Sequence, residues 1–156
     1  MKLLVGLGNP EAKFNLTRHN VGYQFLDYCK NRLRHSNWVL RKTDVFMNES
    51  GIFVRKFIER FGLESANLYI VHDDLDIKFG EYKIQFAKGP KDNGGINSIE
   101  SELGTKDFWR IRIGIDNRES ENRVDGIDYV LSDFTINEQA ALKNVFEKIC
   151  KELVNT

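Results

Sequence analysis

Short apolar runs alternate along this chain with apolar residues spaced four apart, and this alternation limits the fold more than any other feature. Lys2-Leu3-Leu4-Val5-Gly6 is compact, apolar and closed by glycines, the pattern of a buried strand. Val21, Phe25, Cys29 and Leu33 recur every four residues and predict a helix from about Asn20 to Arg34. A polar, basic connection then leads to Val45-Phe46-Met47-Asn48. A second helix is expected over Gly51–Phe61, with Phe53, Phe57 and Phe61 on one stripe and Gly62 as its stop. Asn67–His72 reads as another buried strand, and Glu81–Phe86 as a strand with one wet face. Ala87–Gly95 reads as a loop, Ile96–Leu103 as a short helix closed by Gly104, and Trp109–Ile115 as a strictly alternating strand. Thr135-Ile136-Asn137-Glu138 is a capping box that opens a last helix with Leu142, Val145, Phe146, Ile149 and Leu153 on its apolar face.

Strands alternating with helices predict a single α/β domain over residues 1–156, with a mixed, mostly parallel twisted sheet flanked by helices. In such sheets sites gather on loops at the carboxyl ends of strands. The loops after Gly6, after Ile70-Val71 and around Asn93 therefore form one candidate pocket. No stretch approaches the roughly 20 apolar residues of a membrane span, and neither end reads as a targeting signal. Cys29 and Cys150 lie far apart on apolar positions of helical patterns. They are expected to be two buried free thiols in a reducing cytosol.

Gly6-Leu7-Gly8-Asn9-Pro10 invites a dinucleotide-binding reading, but the third glycine of that fingerprint falls on Glu11, whose carboxylate opposes a pyrophosphate. That reading is rejected. A tight turn explains the glycines but not Asn9. Arg18-His19-Asn20 precedes the first long helix, and His72-Asp73-Asp74-Leu75-Asp76 ends a buried strand at the same edge of the sheet. An imidazole held by a carboxylate keeps one tautomer and can take a proton from water. The aspartates also suit turn capping or a metal site, and His72 suits either a ligand or the core. In Phe46-Met47-Asn48-Glu49-Ser50-Gly51, Ser50 reads as a helix cap, which leaves the Asn48 amide spare beside an apolar wall.

Gly6-Leu7-Gly8-Asn9-Pro10, Arg18-His19-Asn20-Val21-Gly22, Phe46-Met47-Asn48-x-Ser50-Gly51, Val71-His72-Asp73-Asp74-Leu75-Asp76, Gly104-Thr105 with Phe108-x-Arg110-x-Arg112-x-Gly114-Ile115, and Tyr129-Val130-Leu131-Ser132 occur in that order. Together they resemble bacterial-type peptidyl-tRNA hydrolase over nearly the whole chain. The resemblance implies a monomeric, cytoplasmic α/β enzyme with no cofactor, no metal and no membrane partner. It would cleave the ester joining a peptide to the 3′ end of tRNA. By position it implies His19 as general base, Asp73 as its orienting partner, and Asn9 and Asn48 as hydrogen-bonding groups near the scissile ester. Phe14, Phe46 and Met47 would line the groove for the peptide or terminal adenosine.

The chain departs from the family pattern in two places. The family's Gly-Gly-His-Asn-Gly-Leu-(Lys/Arg)-Ser is here Lys91-Asp92-Asn93-Gly94-Gly95-Ile96-Asn97-Ser98, so the family's histidine falls on Asn93 and its asparagine on Gly94. Asn93 is expected to supply the missing substrate-gripping amide. The connection from His35 to Asp44 is shorter than the family's and is expected to lack a pair of strands.

With 23 basic and 23 acidic residues the chain is formally neutral, unlike a general nucleic-acid binder. Its charge is uneven: residues 30–42 carry five bases and no acid, and residues 78–91 carry four lysines against Glu81. Arg110 and Arg112 are not expected both to point inward from an alternating strand. Arg112 matches a position that in the resembled family meets tRNA phosphate, and Lys88 and Lys91 lie in the adjoining loop, so the resemblance implies Lys88, Lys91, Arg110 and Arg112 as contacts to tRNA phosphate. A different reading, motivated by the altered Asn93-Gly94 loop, is a catalytically weak or inactive RNA-binding relative of the same fold.

Overall fold

The computed structural model describes residues 1–121 and 123–156. Five strands, β1 (Lys2–Gly6), β2 (Trp38–Lys42), β3 (Leu68–Lys78), β4 (Tyr82–Phe86) and β5 (Trp109–Asp116), form one sheet in the order β2-β1-β3-β5-β4. All neighbours are parallel except β4, which runs antiparallel along the β5 edge. The helices are α1 (Val21–Cys29), α2 (Ser50–Phe61), α3 (Gly94–Leu103), α4 (Gly126–Val130) and α5 (Ile136–Val154). Alternation along the strands splits the core. Leu4, Tyr69, Val71, Ile111 and Ile113 pack with residues of α1 and α5, whereas Leu3, Val5, Leu68 and Ile70 pack with residues of α2 and α3. This is the expected α/β class.

Two glycines fix how closely α1 lies on the sheet. A Cβ on Gly22 would stand 2.6 Å from the Val71 carbonyl oxygen, and one on Gly6 would stand 2.7 Å from the Gly22 carbonyl oxygen. Both distances are below any real carbon contact, so a helix can start against the ends of β1 and β3 only with glycine at both places.

Several sequence expectations are corrected. The connection before Asp44 holds β2, paired in parallel with β1 from Lys2↔Trp38 to Gly6↔Lys42. Its apolar part is only Trp38-Val39-Leu40, and basic residues mask the pattern. Trp38 anchors it, with its indole N–H donating to the Leu153 carbonyl at 3.2 Å. The first helix ends at Cys29 rather than Arg34, although Leu33 stays buried in the turns that follow. β3 runs on to Lys78, with a register shift against β5 after Asp74. Cys29 and Cys150 are not separate thiols: α1 and α5 bring their Cα atoms to 6.3 Å, and the two are joined as a disulfide. Ser50 does not cap α2, because its hydroxyl is buried without a partner. The Ser98 hydroxyl from α3 does that work across the helix pair, accepting from the Gly51 N–H and donating to the Asn48 carbonyl, each at 2.9 Å.

Candidate active site

The strand order reverses direction at β1 and β3, so the chain leaves these neighbours toward opposite ends of the sheet and opens a crevice beyond their carboxyl ends. β1 stops at Gly6, opposite Val71, while β3 continues. Asp73 thus lies two residues past the last β1 partner, on the side that Tyr69 and Val71 present to α1. Into that gap comes the single 3-10 turn Arg18–Asn20 that precedes α1. His19 Nδ1 and Asp73 Oδ2 are 2.9 Å apart. The imidazole is one-fifth exposed and the carboxylate is buried.

Burial lowers the His19 pKa, but the charge of Asp73 and its hydrogen bond outweigh that effect, and the net shift is upward from 6.5. With Nδ1–H donated to Asp73, Nε2 of the neutral ring is left as a base toward the crevice. Around it opens a cleft of ≈ 370 Å³, lined by His19, Asp73, Asn93, Gly94, Ile127 and Val130, with Leu75, Asp92, Asp125 and Gly126 completing the wall.

Two neighbours of His19 hold its turn. The Asn20 side chain accepts from the Asn9 N–H at 2.7 Å and donates to the Asn9 carbonyl at 2.9 Å, locking the loop after β1 to the start of α1. Arg18 is buried. Its guanidinium donates to the Tyr129 and Ser132 carbonyls, the Ser132 hydroxyl and Glu138 Oε1, and stacks 4.0 Å from the Tyr129 ring centroid. The histidine turn is therefore tied to α4 and to the start of α5.

The acidic cluster divides its labour. Asp74 accepts from Arg112 Nε at 2.7 Å and from the Asp76 N–H at 2.9 Å, and Asp76 is exposed near the end of β3. His72 is fully buried on the other side of the sheet, where its Nδ1 pairs with the Asp73 carbonyl at 2.8 Å; burial lowers its pKa. Of the two readings left open for His72, the core one describes it. Among the described residues no group of three or more His, Cys, Asp and Glu side chains could hold a metal ion.

The remaining expected site residues are placed less uniformly. Asn93 and Gly94 sit at the start of α3 and line the cleft. Met47 packs against the same helix start, since a Cβ on Gly95 would fall 2.6 Å from its sulfur. Asn9, half-buried, accepts the Glu11 N–H through Oδ1 at 3.1 Å, and its amide nitrogen has no partner among the described residues. Asn48 and Phe46 are exposed and Phe14 half-buried; none of Asn9, Asn48, Phe14, Phe46 and Met47 belongs to the cleft wall.

Arg110 and Arg112 correct the expectation that they do not both point inward. Residues two apart on a strand share a face, and both arginines turn inward. Arg110 is spent on Glu100 and on the carbonyls of Lys106 and Phe108; Arg112 also holds Gln85. Lys88 and Lys91 are exposed, and neither forms an ion pair among the described residues. The wall residues Asp125, Gly126, Ile127 and Val130 escape sequence reasoning. Their helix spans only five residues, too short for a periodic signal, although the Asp125 carboxylate caps it at the Ile127 N–H.

The family model described as peptidyl-tRNA hydrolase matches residues 3–156. A peptidyl-tRNA hydrolase of Pseudothermotoga lettingae is 37% identical over 162 aligned residues, spanning 95% of this chain and 86% of that protein. One of Aliarcobacter butzleri is 35% identical, spanning 99% of this chain and 89% of that protein. A crystal structure of peptidyl-tRNA hydrolase from Acinetobacter baumannii superposes with a TM-score of 0.80 at 27% identity, covering 97% of this chain and 85% of that one.

Proposed function

Because the chain belongs to the peptidyl-tRNA hydrolase family, its reaction is hydrolysis of peptidyl-tRNA, and we propose that His19 is the general base and Asp73 its orienting partner. The observation that carries this reading is the 2.9 Å His19–Asp73 pair at the mouth of an open cleft. The Nε2 lone pair takes a proton from water, and the resulting hydroxide adds to the ester carbonyl. The tetrahedral intermediate then expels the ribose oxygen, which takes the proton back from the imidazolium. Peptide carboxylate and free tRNA leave. The substrate is a peptide, or an N-blocked amino acid, esterified to tRNA from drop-off or stalled translation. The Asn9 side-chain amide, whose nitrogen has no partner among the described residues, hydrogen-bonds the substrate near the scissile ester, as does Asn48 from the rim. Phe14, Phe46 and Met47 offer apolar surface to the peptide or the terminal adenosine. The chemistry needs no metal, because one activated water and neutral donors suffice for an ester. The enzyme acts as a cytoplasmic monomer. Nothing in the site favours the weak RNA-binding alternative.

Release of the acyl group from N-acetyl-aminoacyl-tRNA by the purified protein tests this reading, and its pH dependence is specific. Only neutral His19 is a base, so kcat/KM falls as the ring is protonated, with a midpoint above 6.5 because Asp73 raises the pKa. In Asp73→Asn the charge that raises it is gone and burial remains, so the midpoint drops below 6.5 while kcat also falls. A midpoint that does not move in Asp73→Asn rules out the pair as the source of the acidic limb. Chelators leave the rate unchanged.

Lys88 and Lys91, exposed and without an ion-pair partner among the described residues, contact tRNA phosphate, whereas Arg110 and Arg112 are buried and already paired with Glu100 and Asp74. Binding weakens steeply between low and physiological salt, and the double variant Lys88→Ala/Lys91→Ala flattens the slope of log K against log salt by roughly 1.5. Filter binding of tRNA across a salt series measures it. An unchanged slope removes both lysines from the interface.

A further inference from the structure

We infer that Asn93 is a positioning residue of the hydrolytic site, whose amide braces Asp73 from behind rather than gripping substrate. This inference rests on the His19–Asp73 reading given above. Asn93 is buried at the cap position of α3, and its orientation is fixed by chemistry. Its Oδ1 accepts from the Gly95 N–H at 3.0 Å and the Ile96 N–H at 3.1 Å. These are two of the unpaired donors at the helix start, so the oxygen must face α3. The Nδ2 group is then turned to the opposite side, where Asp73 lies. It donates to the Asp73 carbonyl at 3.3 Å and to Asp73 Oδ1 at 3.4 Å.

A line of hydrogen bonds therefore runs from the α3 backbone through Asn93 to Asp73 Oδ1, and from Asp73 Oδ2 to His19. A carboxylate on a strand can rotate about its last bond. With one oxygen held by an amide that is itself held twice, the other oxygen keeps its aim at the imidazole. The cap and the brace are made by different atoms of one side chain, so they can be separated. Gly94 presents no side chain, and the Asn93 amide is already committed, so neither position offers a side-chain donor to the substrate.

Three variants separate the roles when single-turnover cleavage of N-acetyl-aminoacyl-tRNA, KM and Tm are measured beside wild type and Asp73→Asn. Asn93→Ser keeps an oxygen that caps the helix but is too short to reach Asp73. We expect kcat to fall about 10-fold, the size of one hydrogen bond to a charged group, with KM and Tm near wild type. Asn93→Asp keeps the cap and turns an oxygen toward Asp73, so kcat falls further. Asn93→His supplies a ring N–H for Asp73 but cannot cap with the same nitrogen, so kcat recovers while Tm drops. A wild-type kcat in Asn93→Ser, a rise in KM without loss of kcat, or kcat that follows Tm across the three variants overturns the inference. If Asp73→Asn is as fast as wild type, the His19–Asp73 reading itself fails. If Asp73→Asn is slow and Asn93→Ser is not, only the role of Asn93 fails.

Discussion

His19→Ala is expected to lower kcat for release of N-acetyl-aminoacyl groups from tRNA by about 10²–10⁴-fold, the span that a positioned general base supplies. KM changes little, because the phosphate contacts and the apolar rim lie elsewhere. The protein folds normally at neutral pH, since the ring is partly exposed and its turn is held by Arg18 and Asn20 rather than by the imidazole. The stability effect has a sign that checks the same geometry. Asp73 raises the folded pKa of His19 above its unfolded value, so the pair stabilises the fold fully below about 6.5. That contribution disappears as pH rises through the folded pKa. His19→Ala therefore costs more stability in mildly acidic than in alkaline buffer, and paired thermal melts measure the difference. Equal rates for His19→Ala and wild type remove His19 from the chemistry.

Much of this site is legible in the sequence because local rules carry it. The capping box at Thr135 and Glu138 forms as expected, with the Glu138 carboxylate back on the Thr135 N–H at 2.9 Å. The glycines after β1 read as a tight turn, whereas the close approach of Gly6 to Gly22, which lets the turn before α1 deliver His19 to the edge of the sheet, shows only in the structure. The order of strands and helices gives the class, and the class puts the crevice at the carboxyl ends. What stays hidden is set by partners distant in sequence. No local pattern says that Ser98 rather than Ser50 caps α2, or that Cys150 meets Cys29 across 121 residues. The arginines of β5 read as phosphate ligands because Arg112 falls on a position that meets tRNA phosphate in the family the chain resembles. They turn inward because Glu100 and Asp74, supplied by α3 and β3, neutralise them there. Asn93 is a related case. From the sequence it reads as a substrate amide, and only the arrival of β3 beside α3 gives its nitrogen a carboxylate.

Glu138→Ala is expected to be the most destabilising change near the site, by about 3–5 kcal/mol, because it strands a buried guanidinium. Glu138 and Arg18 are both buried, with Nη2 to Oε1 at 2.8 Å. The same carboxylate closes the capping box and accepts from Asn117 Nδ2 at 3.2 Å. For a chain of this length that loss corresponds to a fall in Tm of roughly 10 °C or more. Glu138→Gln separates the parts, since glutamine can still complete a capping box but brings no charge to Arg18, and it should lose less. Burial raises the Glu138 pKa, but its hydrogen bonds and Arg18 outweigh burial and bring it below 4.5. Its stabilisation is therefore present above the unfolded value and is lost as pH falls through the folded one. The difference in Tm between wild type and Glu138→Gln narrows on acidification, and a gap independent of pH argues against the charge. Activity should fall too at temperatures where the variant is fully folded, because Arg18 directly precedes His19 and is the bolt between that turn and the Tyr129–Ser132 segment behind the cleft wall. Slackening the bolt lets the imidazole drift from Asp73 without touching either residue.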